Sequence, residues 1–90
     1  MRVRFYRDPD TGLSHIYNHG VSEEEVLQVL ESSPLKQRSS EGPLIALGQT
    51  YVGRHLKVIY RDEDGVFVIT AFPLTGKALR AYRRRRRKRS

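Results

Sequence analysis

His15, His19 and His55 are the chain's three imidazoles, and Arg54 stands directly before the last of them. Arg61, Lys77, Arg80 and Tyr82 complete a set whose types suit metal-free RNA cleavage. In that reaction a base takes the 2′-hydroxyl proton, an acid protonates the leaving oxygen, and a cation stabilises charge on the phosphorane. The candidate catalytic residues are His19 or His55 as acid/base and Arg54 as phosphate stabiliser. Without a positioned acid/base pair, the same side chains simply bind phosphate. Tyr82 and Tyr60 are assigned to core packing ahead of chemistry.

Other chemistries find little footing. His15 and His19 lie four apart and would share a helical face, but a zinc site needs two more ligands and the chain has no Cys. No metal and no cofactor is expected. The seven glycines are dispersed, so there is no phosphate-cradling loop. Glu23, Glu24 and Glu25 suit the first turn of a helix, and Asp62-Glu63-Asp64 suits a solvated hairpin tip.

Charge is the stronger signal. Residues 1–76 hold eight Lys/Arg against ten Asp/Glu, a net of −2, whereas residues 77–90 carry nine bases and no acid. The whole chain's +7 is therefore a mildly acidic body with a +9 end. Arg83, Arg84, Arg85, Arg86, Arg87, Lys88 and Arg89 run without interruption. Such a segment repels itself and seeks polyanions. These seven, with Lys77 and Arg80, are the candidate nucleic-acid contacts. The division expected is a single domain over 1–82 and a basic tail over 83–90.

The elements that must position these residues follow from pattern. Arg2 to Tyr6 alternates, with Val3 and Phe5 on one face, and reads as a short strand. Asp8-Pro9-Asp10 turns the chain. Leu13, Ile16 and Tyr17 sit at helical spacing, with Gly20 able to close a short helix in the left-handed region. Ser22 and Glu25 form a capping box, and Val21 with Val26 a hydrophobic staple, for a helix that ends at Ser32-Ser33-Pro34. Residues 35–42 read as a loop that could hold a brief edge strand at Lys36 to Arg38. Strands are expected at Leu44 to Thr50, His55 to Arg61 and Val66 to Phe72. The last is almost continuously apolar, as for a strand covered on both faces. Thr75 can cap a final helix whose Ala78, Leu79 and Tyr82 share a face. The fold class is α+β: an N-terminal strand, one or two helices, a three-strand antiparallel meander completing a four-stranded sheet, and a C-terminal helix with a basic extension.

Ninety residues make one small core, and a deep substrate cavity is not expected. Absent cysteine fits a reducing cytoplasm. The charged stretch Met1 to Arg7 holds no signal segment, and no apolar run approaches the ~18 residues of a membrane span. A cytoplasmic protein with no membrane partner is expected.

The segments Asn18-His19-Gly20-Val21-Ser22-Glu23-Glu24-Glu25-Val26, Gly48-Gln49-Thr50, Gly53-Arg54, Leu56-Lys57-Val58-Ile59-Tyr60 and Ile69-Thr70-Ala71 resemble the BrnT-type proteins, small bacterial toxins of the RelE/ParE superfamily. A closer resemblance is to small uncharacterised bacterial proteins ending like Leu74-Thr75-Gly76-Lys77-Ala78-Leu79 with Tyr82 and an arginine run. The resemblance covers most of residues 5–88. It implies a RelE-like fold, RNA ahead of DNA as partner, an endoribonuclease activity and an antitoxin-like protein neighbour. Asn18, Gln49 and Phe72 stand where BrnT-type chains usually carry cations, while His19 and Arg54 match. Binding of RNA or the ribosome through the basic arm is therefore the first expectation. Endoribonuclease activity is the second, and protein interaction the third.

Overall fold

The computed structural model describes residues 2–89, with side chains described through Arg86. Its order is strand β1 (Val3–Phe5), a 3-10 helix (His15–His19), helix α1 (Glu23–Glu31), strands β2 (Leu35–Arg38), β3 (Leu44–Gln49), β4 (His55–Asp62) and β5 (Val66–Pro73), and helix α2 (Gly76–Arg89). The class is α+β, and the sheet has five strands rather than four, in the order β1-β5-β4-β3-β2. The fifth is β2, antiparallel to β3 with Leu35 opposite Leu47 and Arg38 opposite Leu44. It holds one buried apolar residue in four, so its own sequence barely marks it. β1 is parallel to β5, and the other three pairings are antiparallel.

α1 begins as its sequence demands. The Ser22 hydroxyl accepts from the Glu25 backbone N–H, and the Ser22 N–H donates to Glu25 Oε1 at 3.0 Å. Val21 and Val26 are both buried in the main core. The segment before it is a five-residue 3-10 helix closed by Gly20 at φ +70°. Only Ile16 in it is buried.

One sheet face carries Ala46, Leu56, Val58, Tyr60, Val66, Val68 and Ala71, and meets Ile16, Val21, Val26 and Val29 from the helical layer. β5 keeps its apolar residues on that face by a bulge. Ile59 pairs with Thr70 but Tyr60 pairs with Val68, which leaves Ile69 unopposed and carries Ala71 inward. The other face is covered only in part. Leu35, Leu47, Leu74 and Tyr82 form a second cluster there, joined by Ile45 and Leu79. Phe67, Thr70 and Phe72 on that face stay half-exposed. The expectation that β5 is covered on both faces is thus corrected: α2 has too narrow an apolar foot to reach across the sheet.

The β4–β5 turn places Asp64 at φ +53° and Gly65 at φ +96°. A Cβ on Gly65 would lie 2.9 Å from the Arg2 carbonyl oxygen, which accepts the Val66 N–H at 2.8 Å. Gly65→Ala is expected to destabilise the fold by about 1–2 kcal/mol from the left-handed backbone alone. The added contact with β1 raises that cost, and a lowered urea midpoint measures the loss.

Candidate nucleic-acid interface

α2 is a single helix through the boundary at residue 82, so that boundary is one of composition. Ala, Leu, Lys and Arg all favour helix. Cations are best tolerated towards a helix C-terminus, where the dipole attracts them, and the run Arg83 to Arg89 occupies that end. Its root is fixed by the sheet. The Leu74 N–H donates to the His55 carbonyl at 3.0 Å, tying the exit of β5 to the start of β4. Tyr82, 5% exposed, fills the second cluster with Leu79 beside it. Ala78, expected on this stripe, is exposed, and Ala81 is half-buried instead.

Tyr82 also meets His55 edge-on, with ring centroids 5.5 Å apart and planes at 73°. Around this pair lies an open cleft of about 460 Å³ lined by Gln49, His55, Arg80, Tyr82, Arg83, Arg84 and Arg86. No carboxylate lines it among the described residues, so its only charged side chains are the four guanidinium groups. Burial holds the His55 imidazole below its usual pKa, and the charge on Arg83 lowers it further. Its neutral form is favoured, able to accept a proton or a hydrogen bond.

The other named residues fall elsewhere. Arg54 Nη1 donates to both Glu25 carboxylate oxygens, at 3.0 and 2.9 Å, and to the Gly20 carbonyl at 2.9 Å. Burial pushes the Glu25 carboxyl up, but the Ser22 backbone N–H and the Arg54 guanidinium outweigh it and hold the group below its ordinary value. Arg54 therefore ties the head of β4 to the entry of α1. His19 meets Phe72 edge-to-face at 5.7 Å and His15 likewise at 5.4 Å, outside the cleft. Lys77 is exposed and does not line the cleft. Arg85 lines a second, smaller groove on the other flank of α2 with Gln37, Leu47, Lys57, Leu74, Ala78, Ala81 and Tyr82. Arg87, Lys88 and Arg89 belong to α2, but their side chains lie outside the described residues.

Sequence reasoning overlooked Gln49 and Lys57 as interface residues. Period-two alternation in β4 was the available signal: it sets His55, Lys57, Ile59 and Arg61 on the face opposite Leu56, Val58 and Tyr60. No group of three or more metal-ligating side chains occurs among the described residues. No helix among them is long and apolar enough to cross a membrane.

No family model, curated protein or solved structure matches the chain.

Because Arg83 contributes to the depression at His55, Arg83→Gln is expected to move the His55 titration upward, towards the ordinary value near 6.5. An NMR titration of the ring protons reads this. A midpoint that stays put, or moves down, refutes the electrostatic contact.

Proposed function

We propose that this small protein, a RelE-like body in the bacterial cytoplasm, binds nucleic acid through α2, with RNA or the ribosome ahead of DNA. The RelE-like and bacterial parts rest on the residue resemblance. The binding part is supported by one observation above the others. Leu79 and Tyr82 seat the helix so that Arg80, Arg83, Arg84 and Arg86 ring an open cleft instead of spreading through solvent. A polyanion entering there meets preplaced guanidinium groups, each able to donate two parallel hydrogen bonds to a phosphate. The acidic body, net −2 over residues 1–76, confines the attraction to this arm.

Binding of this kind releases counterions. With about six phosphate contacts, the log–log salt slope of the association constant is expected near −5 on duplex DNA and near −4 on single-stranded RNA. Removing residues 83–90 keeps Leu79 and Tyr82 but removes seven bases, and most of the slope should go with them. An unchanged slope refutes the arm.

A second reading uses the same cleft. A neutral imidazole beside Tyr82, ringed by guanidinium groups, has the makings of a metal-independent endoribonuclease with His55 as base. This reading requires purified protein to cleave RNA in EDTA, and His55→Ala to lower the rate about a hundredfold or more. RNA left intact in EDTA, alone and with ribosomes, leaves binding as the function.

A further inference from the structure

The 3-10 helix needs one anchor, and Ile16, 1% exposed, provides it. The rings around it do something else. Tyr6 meets His15 with centroids at 6.3 Å, His15 meets His19 at 5.4 Å, and His19 meets Phe72 at 5.7 Å, each pair edge-to-face. Lys57 Nζ then sits 5.6 Å from the centre of the Phe72 ring. None of these side chains is buried: Tyr6 is 43% exposed, His19 is exposed, and His15, Phe72 and Lys57 are half-exposed. Packing alone does not account for a row of four rings left open to water.

The row also leads somewhere. Phe72 lies opposite Lys57 in the β4–β5 register, on the sheet face where α2 docks. Lys57 lines the groove on the flank of α2 with Arg85. A continuous path therefore runs from the arginine arm through Lys57 and Phe72 to His19, His15 and Tyr6. Its chemistry changes along the way, from guanidinium groups that hold phosphate to ring faces and edges interleaved with one ammonium. One carboxylate flanks its far end, with Asp8 Oδ2 4.0 Å from His15 Nδ1. The rings are what that end offers to a base.

We propose that this strip is a stacking platform for unpaired bases, so that the protein's ligand is a single-stranded polynucleotide whose backbone lies on α2. The proposal rests on the reading of α2 as a phosphate-binding arm and adds the class of strand it takes. A duplex keeps its bases stacked inside and offers nothing to the rings, whereas every unpaired base has a π-face that stacks without regard to sequence. Duplex binds through the arm alone; single strand binds through arm and platform.

The test compares a fluorescein-labelled 12-nucleotide poly-uridine, its poly-deoxythymidine counterpart and a duplex of equal length, across a salt series. Wild type should prefer both single strands to the duplex. His19→Ala should weaken single-strand binding about tenfold, leave the duplex unchanged and leave the salt slope unchanged, since stacking releases no counterions. His19→Phe, which restores a ring, should recover most of the loss. On wild-type protein, a 4-thiouridine oligonucleotide should cross-link within residues 15–19 or at Phe72. If wild type binds neither form, arm and platform fall together. If it binds with the expected slope, but His19→Ala matches wild type or weakens duplex and single strand alike, the platform alone is refuted. Cross-links confined to α2 refute it too.

Discussion

A helix carrying nine bases in its fourteen residues cannot be held by its own charges, because each repels the next. Its position depends on two side chains, Leu79 and Tyr82, pressed into a patch built by Leu35, Leu47 and Leu74. Burying a tyrosine and half-burying a leucine contributes a few kcal/mol at about 25 cal/mol per Å², enough to seat a helix root. Everything distinctive about the surface follows from that seat. It brings guanidinium groups around His55, and it lowers the imidazole's basicity. It also leaves the far half of the sheet face open, so that Phe67 and Phe72 reach water.

The body solves a different problem with the same chemistry. Glu25 accepts the Ser22 N–H that opens α1 and also takes Arg54 from the head of β4. One carboxylate thus joins a helix cap to a strand, and Arg54 reaches on to the carbonyl of Gly20 where the 3-10 helix ends. Ser14, buried beneath, donates its hydroxyl to Glu23. Acids of the first turn that read as dipole partners prove to be tertiary ties as well. Arg54, read as a phosphate group's partner, spends one nitrogen holding three elements together.

What was legible depended on range. The capping box at Ser22 and Glu25, the staple at Val21 and Val26, the closing Gly20 and the alternation of β4 are written within a few residues, and each appears in the structure. β2 was nearly hidden because Leu35-Lys36-Gln37-Arg38 offers one buried side chain, and its strand character comes from β3 alongside. The continuous apolar run of β5 misled because a bulge at Ile69 breaks the two-residue period, so the run reads as two-sided burial when one face is half open. The approach of His55 to Tyr82 joins residues 27 positions apart through the path of α2, and no local pattern encodes it. The ring row was invisible for the same reason: Phe72 reaches His19 only because the 3-10 helix lies along β5.

The parallel pairing of β1 with β5 has a consequence for how the chain acquires its shape. Val3 must wait for Val66, so β1 stays without its neighbour while the strands between are synthesised. The meander from β2 to β5 can assemble from hairpins between adjacent segments, while closing the β1 edge requires a loop of some sixty residues. During synthesis, then, β1 carries Val3 and Phe5 unpaired until β5 emerges, and Arg4 between those side chains, with Arg2 and Arg7 to either side, guards it against premature association. The basic arm follows β5 in the chain, so the charged surface is made only after that edge has its partner.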